Sequence, residues 1–124
     1  MPVTCHVLVE DGIVESVYVG ICAQADLLAN FHRAHQMARD NGSTRFLTDL
    51  SGMAQGPHPA DLVDAIHLRD QMGIPRNVKE GVVCPPGLMS AADAKFYEDA
   101  CHNRGWSVRV FPERAAALAW LRAP

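Results

Sequence analysis

The chain has 124 residues, long enough to close one hydrophobic core without disulfides or metals, so a single domain over residues 1–124 is expected. Apolar residues make up 48% of it and charged residues 20%, a globular profile that excludes a disordered or fibrous chain. A formal charge of −3 with no run of Lys or Arg argues against nucleic acid or an anionic lipid surface as partner.

The start, Met1-Pro2-Val3-Thr4, has no basic segment leading into an apolar stretch, and no apolar run approaches the roughly 20 residues needed to cross a bilayer. A cytoplasmic protein without a transmembrane segment is expected. Cys5, Cys22, Cys84 and Cys101 are scattered without a Cys-x-x-Cys pair, so neither a zinc knuckle nor a thioredoxin-type motif is present. They read as reduced, partly buried thiols.

Taken in order, Thr4 to Glu10 and Ile13 to Gly20 are rich in β-branched residues and flank Asp11-Gly12, a pair suited to the positive φ angles of a type I′ turn. This predicts a hairpin. From Ala23 to Asp40, Leu27, Phe31, Ala34 and Ala38 recur at helical spacing, and Asn41-Gly42 offers a left-handed stop. Arg45 to Leu50 reads as a third strand, and Ser51 to Pro59 as a Gly- and Pro-containing loop that ends it.

Pro59 suits the first turn of a second helix whose apolar stripe is Leu62, Val63 and Ile66 and whose end is near Gly73. Val78 to Cys84 is a strand; Pro85-Pro86-Gly87 then forces a turn before a third helix with Ser90 as N-cap and Phe96 and Ala100 on its buried face. Asn103-Arg104-Gly105 leads into a strand over Ser107 to Phe111, and a final helix places Ala117, Leu118 and Leu121 on one side. The order is ββαβαβαβα. It predicts an α/β fold: an N-terminal hairpin followed by βα repeats in a mostly parallel five-stranded sheet flanked by four helices.

Two segments resemble a known family. Phe46-Leu47-Thr48-Asp49-Leu50-Ser51-Gly52 resembles the strand ending in Asp-Leu-Ser that marks STAS domains, the family of the anti-anti-sigma factors. Val108-Arg109-Val110-Phe111-Pro112-Glu113, continuing to Ala117-Leu118-Ala119-Trp120-Leu121-Arg122, is similar to the ending of the stand-alone SpoIIAA-like branch. The resemblance implies a non-enzymatic regulatory or binding module. In the anti-anti-sigma factors the switch is a phosphorylated serine in Asp-Ser-Ser-Gly at the start of the second helix; here those positions read Pro57-His58-Pro59-Ala60, with no hydroxyl to accept phosphate. The phosphoserine switch is therefore not carried over. What remains similar is the SpoIIAA-like branch, some of whose members are suspected of binding small or lipid-like ligands.

In open α/β sheets ligands sit beyond the carboxyl ends of the strands at a switch point, which ranks the loop after the third strand first. Asp49, Ser51 and His58 offer a carboxylate, a hydroxyl and an imidazole there, and Asp61 follows at the head of the second helix. These four are the candidate ligand- or partner-binding residues. The alternative is that Asp49 and Ser51 only satisfy loop backbone groups and that His58 is an exposed loop residue. A hydrolase or thiol enzyme built on Asp49, Ser51, His58 or Cys84 is a further alternative, but Ser51-Gly52 lacks the glycine of a Gly-x-Ser-x-Gly elbow.

No metal or cofactor is expected. Cys22, His58 and Cys84 each follow a strand that could end on the same sheet edge, where they would converge with Asp49 into a thiol or metal site; buried inert cysteines are the favoured alternative, and no Glu or Cys near His32 and His35 completes a ligand set. The histidines of the first helix, and His67 in the second, read as polar flanks of amphipathic helices; Asp61, Asp64, Arg69 and Asp70 read as a solvated face. Trp106 and Trp120 read as core, with an interface role for Trp120 as the alternative. Pro85-Pro86-Gly87 has no phosphate-cradle spacing. The expected partner is a protein, a second copy of the chain included, or a small apolar or acidic ligand held by the 51–59 loop and the second helix.

Overall fold

The computed structural model describes residues 3–8 and 11–124. Nine elements follow one another as β1 (Val3–Leu8), β2 (Ile13–Gly20), α1 (Gln24–Asn41), β3 (Arg45–Met53), α2 (Pro59–Met72), β4 (Lys79–Val83), α3 (Ala91–Asn103), β5 (Ser107–Phe111) and α4 (Arg114–Arg122). Val9 and Glu10 of the first predicted strand lie outside the described residues. The α/β order ββαβαβαβα is the one the periodicities predict.

The five strands form one sheet in the order β1-β2-β3-β4-β5. β1 is antiparallel to β2, and β2 to β5 run parallel. The hairpin differs from the expected type I′ turn. Leu8 pairs with Ile13, and among the described residues Gly12 (φ 64°) but not Asp11 has a positive φ. Gly12 and Asp11 both donate backbone N–H groups to Leu8 O, as in longer loops closed by one left-handed residue.

The two sheet faces receive different helices. Alternate residues of each strand point to opposite faces, and Val14, Tyr18, Phe46, Leu50, Val82 and Val108 meet α1, α2 and α3 on one face. Ile13, Leu47 and Val83 meet α4 on the other. Helix ends follow the sequence: Gly42 and Gly73 take the left-handed conformation as C-caps of α1 and α2, and Ser90 Oγ caps α3 by accepting from Asp93 N at 3.0 Å.

Four further expectations change. β3 does not stop at Leu50: Gly52 pairs with Val19 and Met53 with Gly20 after a register shift, so Ser51 belongs to the strand and the loop shortens to 54–58. Gly52 permits this, because a Cβ there would lie 2.9 Å from Tyr18 O. The buried face of α3 is Tyr97 and Cys101, while Phe96 is 47% exposed; the true stripe is one residue further along the helix. Val63 of α2 is likewise exposed.

The fourth change concerns charge. Arg69, expected on a solvated face, is only 1% exposed, and His35, expected as a polar flank, is buried as well. Both lie on the α1–α2 side of the sheet. Trp106 is core, as expected, and its Nε1 donates to Ile74 O at 3.1 Å. Trp120 is partly buried and packs beside Phe111 with ring centroids 5.6 Å apart.

Candidate functional site

α1 packs most closely on β1 and β2, and α2 packs on α3. The seam between α1 and α2 is therefore not filled by the helices themselves. It holds a cavity of about 120 Å³ over β2, β3 and β4. An apolar cavity of roughly 150 Å³ takes a benzene molecule, so this one suits a compact group of about that size. Its walls are mainly apolar: Leu27, Leu28 and Phe31 from α1, Leu62, Ala65 and Leu68 from α2, and Phe46, Leu50 and Val82 from the sheet. At its rim Gln24 Nε2 of α1 donates to Asp64 Oδ2 of α2, and both residues line the opening.

Polar groups are placed on the floor. Asn30 of α1 is buried and its Nδ2 donates to Ser16 Oγ at 2.9 Å and to Tyr18 OH at 3.0 Å, both on β2. Arg33 Nη2 donates to Asn30 Oδ1 at 2.8 Å, which fixes the orientation of the amide. On β3 and β4, Thr48 Oγ1 donates to Glu80 Oε2 at 2.6 Å. Arg69 Nη2 donates to Glu80 Oε1 and, at 3.5 Å, to Tyr97 OH.

The Arg69 guanidinium also lies 5.5 Å from the Phe31 ring centre and 5.8 Å from that of Trp106, distances at which an aromatic face attracts a cation. Its Nε and Nη1 are buried without a hydrogen-bond partner among the described residues. The His35 ring lies between those of Phe31 (centroids 4.6 Å apart) and Phe46 (4.4 Å), tilted by 40° and 39°. Burial first, and then the positive Arg69 and Arg39 and the neighbouring His32, push its pKa down to about 4. At neutral pH it is an uncharged wall of the cavity.

The four candidate residues of the sequence are not brought together. Asp49 and Ser51 lie on the opposite face of β3 from Thr48 and Leu50, towards α4. They satisfy one another: Asp49 Oδ1 accepts from Ser51 N at 2.9 Å and from Ser51 Oγ at 2.5 Å. His58 is the N-cap of α2, where its Nδ1 accepts from Ala60 N at 3.1 Å and its backbone N–H donates to Asp61 Oδ2 at 3.0 Å. Asp61 alone of the four lines the cavity, with Pro57 beside it.

Among the described residues no group of three His, Cys, Asp or Glu side chains is disposed to hold a metal ion. Burial pushes the thiols of Cys22, Cys84 and Cys101 up, the opposite direction from an activated cysteine. The open-sheet rule also loses its footing here. The strand order never reverses, so there is no switch point to create a crevice.

The residues that form the cavity floor were readable only as interruptions of apolar stripes. Arg69 stands seven positions after Leu62 and three after Ile66, and Asn30 stands three after Leu27 and four before Ala34. These are core-facing positions of their helices. Ser16 interrupts the inward series Val14, Tyr18 in the same way. A polar residue on such a position is buried with a partner or at a site.

Comparison with known proteins gives a fold. No family model matches the sequence, and no curated protein matches it either. A solved structure does: an uncharacterized protein of the DUF3478 family with a SpoIIAA-like fold, from Shewanella loihica PV-4, superposes with a TM-score of 0.61 at 15% identity, covering 96% of this chain and 91% of that one. The fold is thus SpoIIAA-like, as the strand ending in Asp49-Leu50-Ser51 and the C-terminal strand and helix imply. No helix among the described residues is long and apolar enough to cross a membrane.

Proposed function

We propose that this protein is a non-enzymatic binding module that takes up a small molecule between α1 and α2, and that the phosphoserine switch of the anti-anti-sigma factors has no counterpart in it. The observation that carries this reading is the cavity of about 120 Å³, walled by leucine and phenylalanine side chains and floored by buried polar groups. Ligand pockets have this composition, mostly apolar with a few placed polar groups. Gln24 and Asp64 join α1 to α2 and both line the cavity, so a guest would bear on both helices there.

The absence of an activated nucleophile among the described side chains supports binding rather than chemistry. Ser51 donates to Asp49 and His58 accepts from the α2 backbone, so neither forms the nucleophile–base–orienter chain that acyl transfer needs. The test is native mass spectrometry of the purified chain incubated with a small-molecule extract of its own host. A discrete added mass is expected on the wild type and is expected to vanish in Ala65→Phe, which fills the cavity. A bare wild-type spectrum, or the same added mass on the filled variant, would contradict the reading.

A further inference from the structure

Arg69 is the group in this molecule whose chemistry is left most incomplete. Its guanidinium is 1% exposed and carries five N–H donors. Nη2 is used by Glu80 and Tyr97. Nε and Nη1 have no acceptor among the described residues, although Arg69 lines the cavity. The rings of Phe31 and Trp106 attract its charge but offer no oxygen or nitrogen acceptor.

The donors ask for an acceptor, and the surrounding charges decide which kind. Glu80 already neutralises Arg69 on the cavity floor, and its other oxygen is occupied by Thr48. Asp61 and Asp64 line the same cavity. The lining therefore holds three carboxylates against one guanidinium, and Arg33, on the same helix as Asn30, is engaged with that residue's amide oxygen. A carboxylate or phosphate guest would add a buried negative charge without a counter-ion, which is strongly disfavoured. A neutral oxygen acceptor satisfies the orphan N–H groups without that penalty.

We infer that the cavity takes a small neutral carbonyl compound, its apolar body against the leucines of α1 and α2 and its oxygen accepting from Arg69 Nε or Nη1. The volume of about 120 Å³ limits the enclosed part to roughly a six-membered ring. This inference rests on the binding reading above and narrows its small molecule to neutral acceptors.

The test uses the full chain with ¹⁵N-labelled arginine and ¹³C-labelled leucine methyls, titrated separately with cyclohexanone, with the isosteric hydrocarbon methylenecyclohexane, and with cyclohexanecarboxylate. Cyclohexanone is expected to bind at least tenfold more tightly than either of the others and to shift one arginine Nε–H signal. That signal is expected to be missing from Arg69→Lys; if this variant does not fold, Arg69→Met/Glu80→Leu makes the assignment. Tighter binding of the carboxylate would overturn the inference. Equal binding of ketone and hydrocarbon would overturn it too, by showing that water serves Arg69, while leaving the binding reading intact. Failure of all three to move the cavity leucine methyls would remove both.

Discussion

The two faces of the sheet are made by the same strands, and they are packed in different ways. On the α4 face Ile13, Leu47 and Val83 meet Ala117, Leu118 and Leu121 directly, and α4 sits so low on β4 that a Cβ at Gly81 would touch Ala117 and Leu121 at 3.4 Å. Its buried carboxylate, Glu15, is met at 2.9 Å by Arg114 and Asp11 is met at 2.8 Å by Arg122, both arginines about half exposed. On the α1–α2 face charged and amide groups lie beneath the helices, and a cavity remains over them. Close packing of a single helix gives stability; three helices with polar residues on their inward positions give a site.

The largest effect should come from the buried pair. Arg69→Met alone leaves Glu80 without its partner and is expected to cost about 3 to 5 kcal/mol in denaturant unfolding. Arg69→Met/Glu80→Leu is expected to recover most of it, because an apolar pair of similar volume avoids the desolvation of both charges. If the double variant is no better than the single one, the pair is not what organises this face.

His35 sets the next effect, and its sign is fixed by burial. The folded pKa of about 4 lies below the ordinary value of 6.5, so below pH 6.5 the unfolded chain takes up a proton that the folded chain refuses. Stability is therefore expected to fall as pH drops from about 6.5 to about 4, by on the order of 3 kcal/mol from this residue. His35→Leu should flatten that part of the curve; an unchanged slope would show that His35 is not the buried group responsible.

A smaller effect is expected at Gly56. A Cβ there would lie 1.8 Å from Leu88 O, so Gly56→Ala must displace the 54–58 loop from the turn before α3. About 2 kcal/mol of destabilisation is expected, read as a lower thermal midpoint; a midpoint equal to the wild type would show that the two loops do not pack. The smallest effect belongs to the α4 face. Arg122→Ala removes an exposed pair, and surface ion pairs of this kind are screened by salt. Its unfolding curve in 0.15 M salt should superpose on the wild type.

Much of the fold was legible because local rules and the global arrangement agree. Gly42 and Gly73 end helices where the apolar period ends, Pro59 opens one, and Ser90 caps another. What was not legible depends on partners distant in the chain. Ser51 and Gly52 look like loop residues until Val19 and Gly20 are set beside them. Phe96 and Tyr97 are both candidate core residues by spacing, and the packing of α3 on β5 and α2 chooses Tyr97.

The site was harder still, because its chemistry is hidden in the stripes that read as core or as solvated face. Asp61 was found because it lies at the loop mouth. Asp49 and Ser51 were favoured by a rule about strand ends, yet strand parity turns them to the α4 side, where they bond to each other. Arg69, Glu80 and Asn30 were missed because a charged or amide residue at an inward position cannot be told from one on a neighbouring face until the helix phase is fixed.

The most direct test of the central claim is a benzene titration of the leucine-methyl-labelled protein. The cavity predicts saturable shifts at the methyls of Leu27, Leu28, Leu62 and Leu68, which line it, and none at Leu118 and Leu121 on the buried side of α4. Unmoved methyls on the α1–α2 face, or equal shifts on both faces, would contradict it.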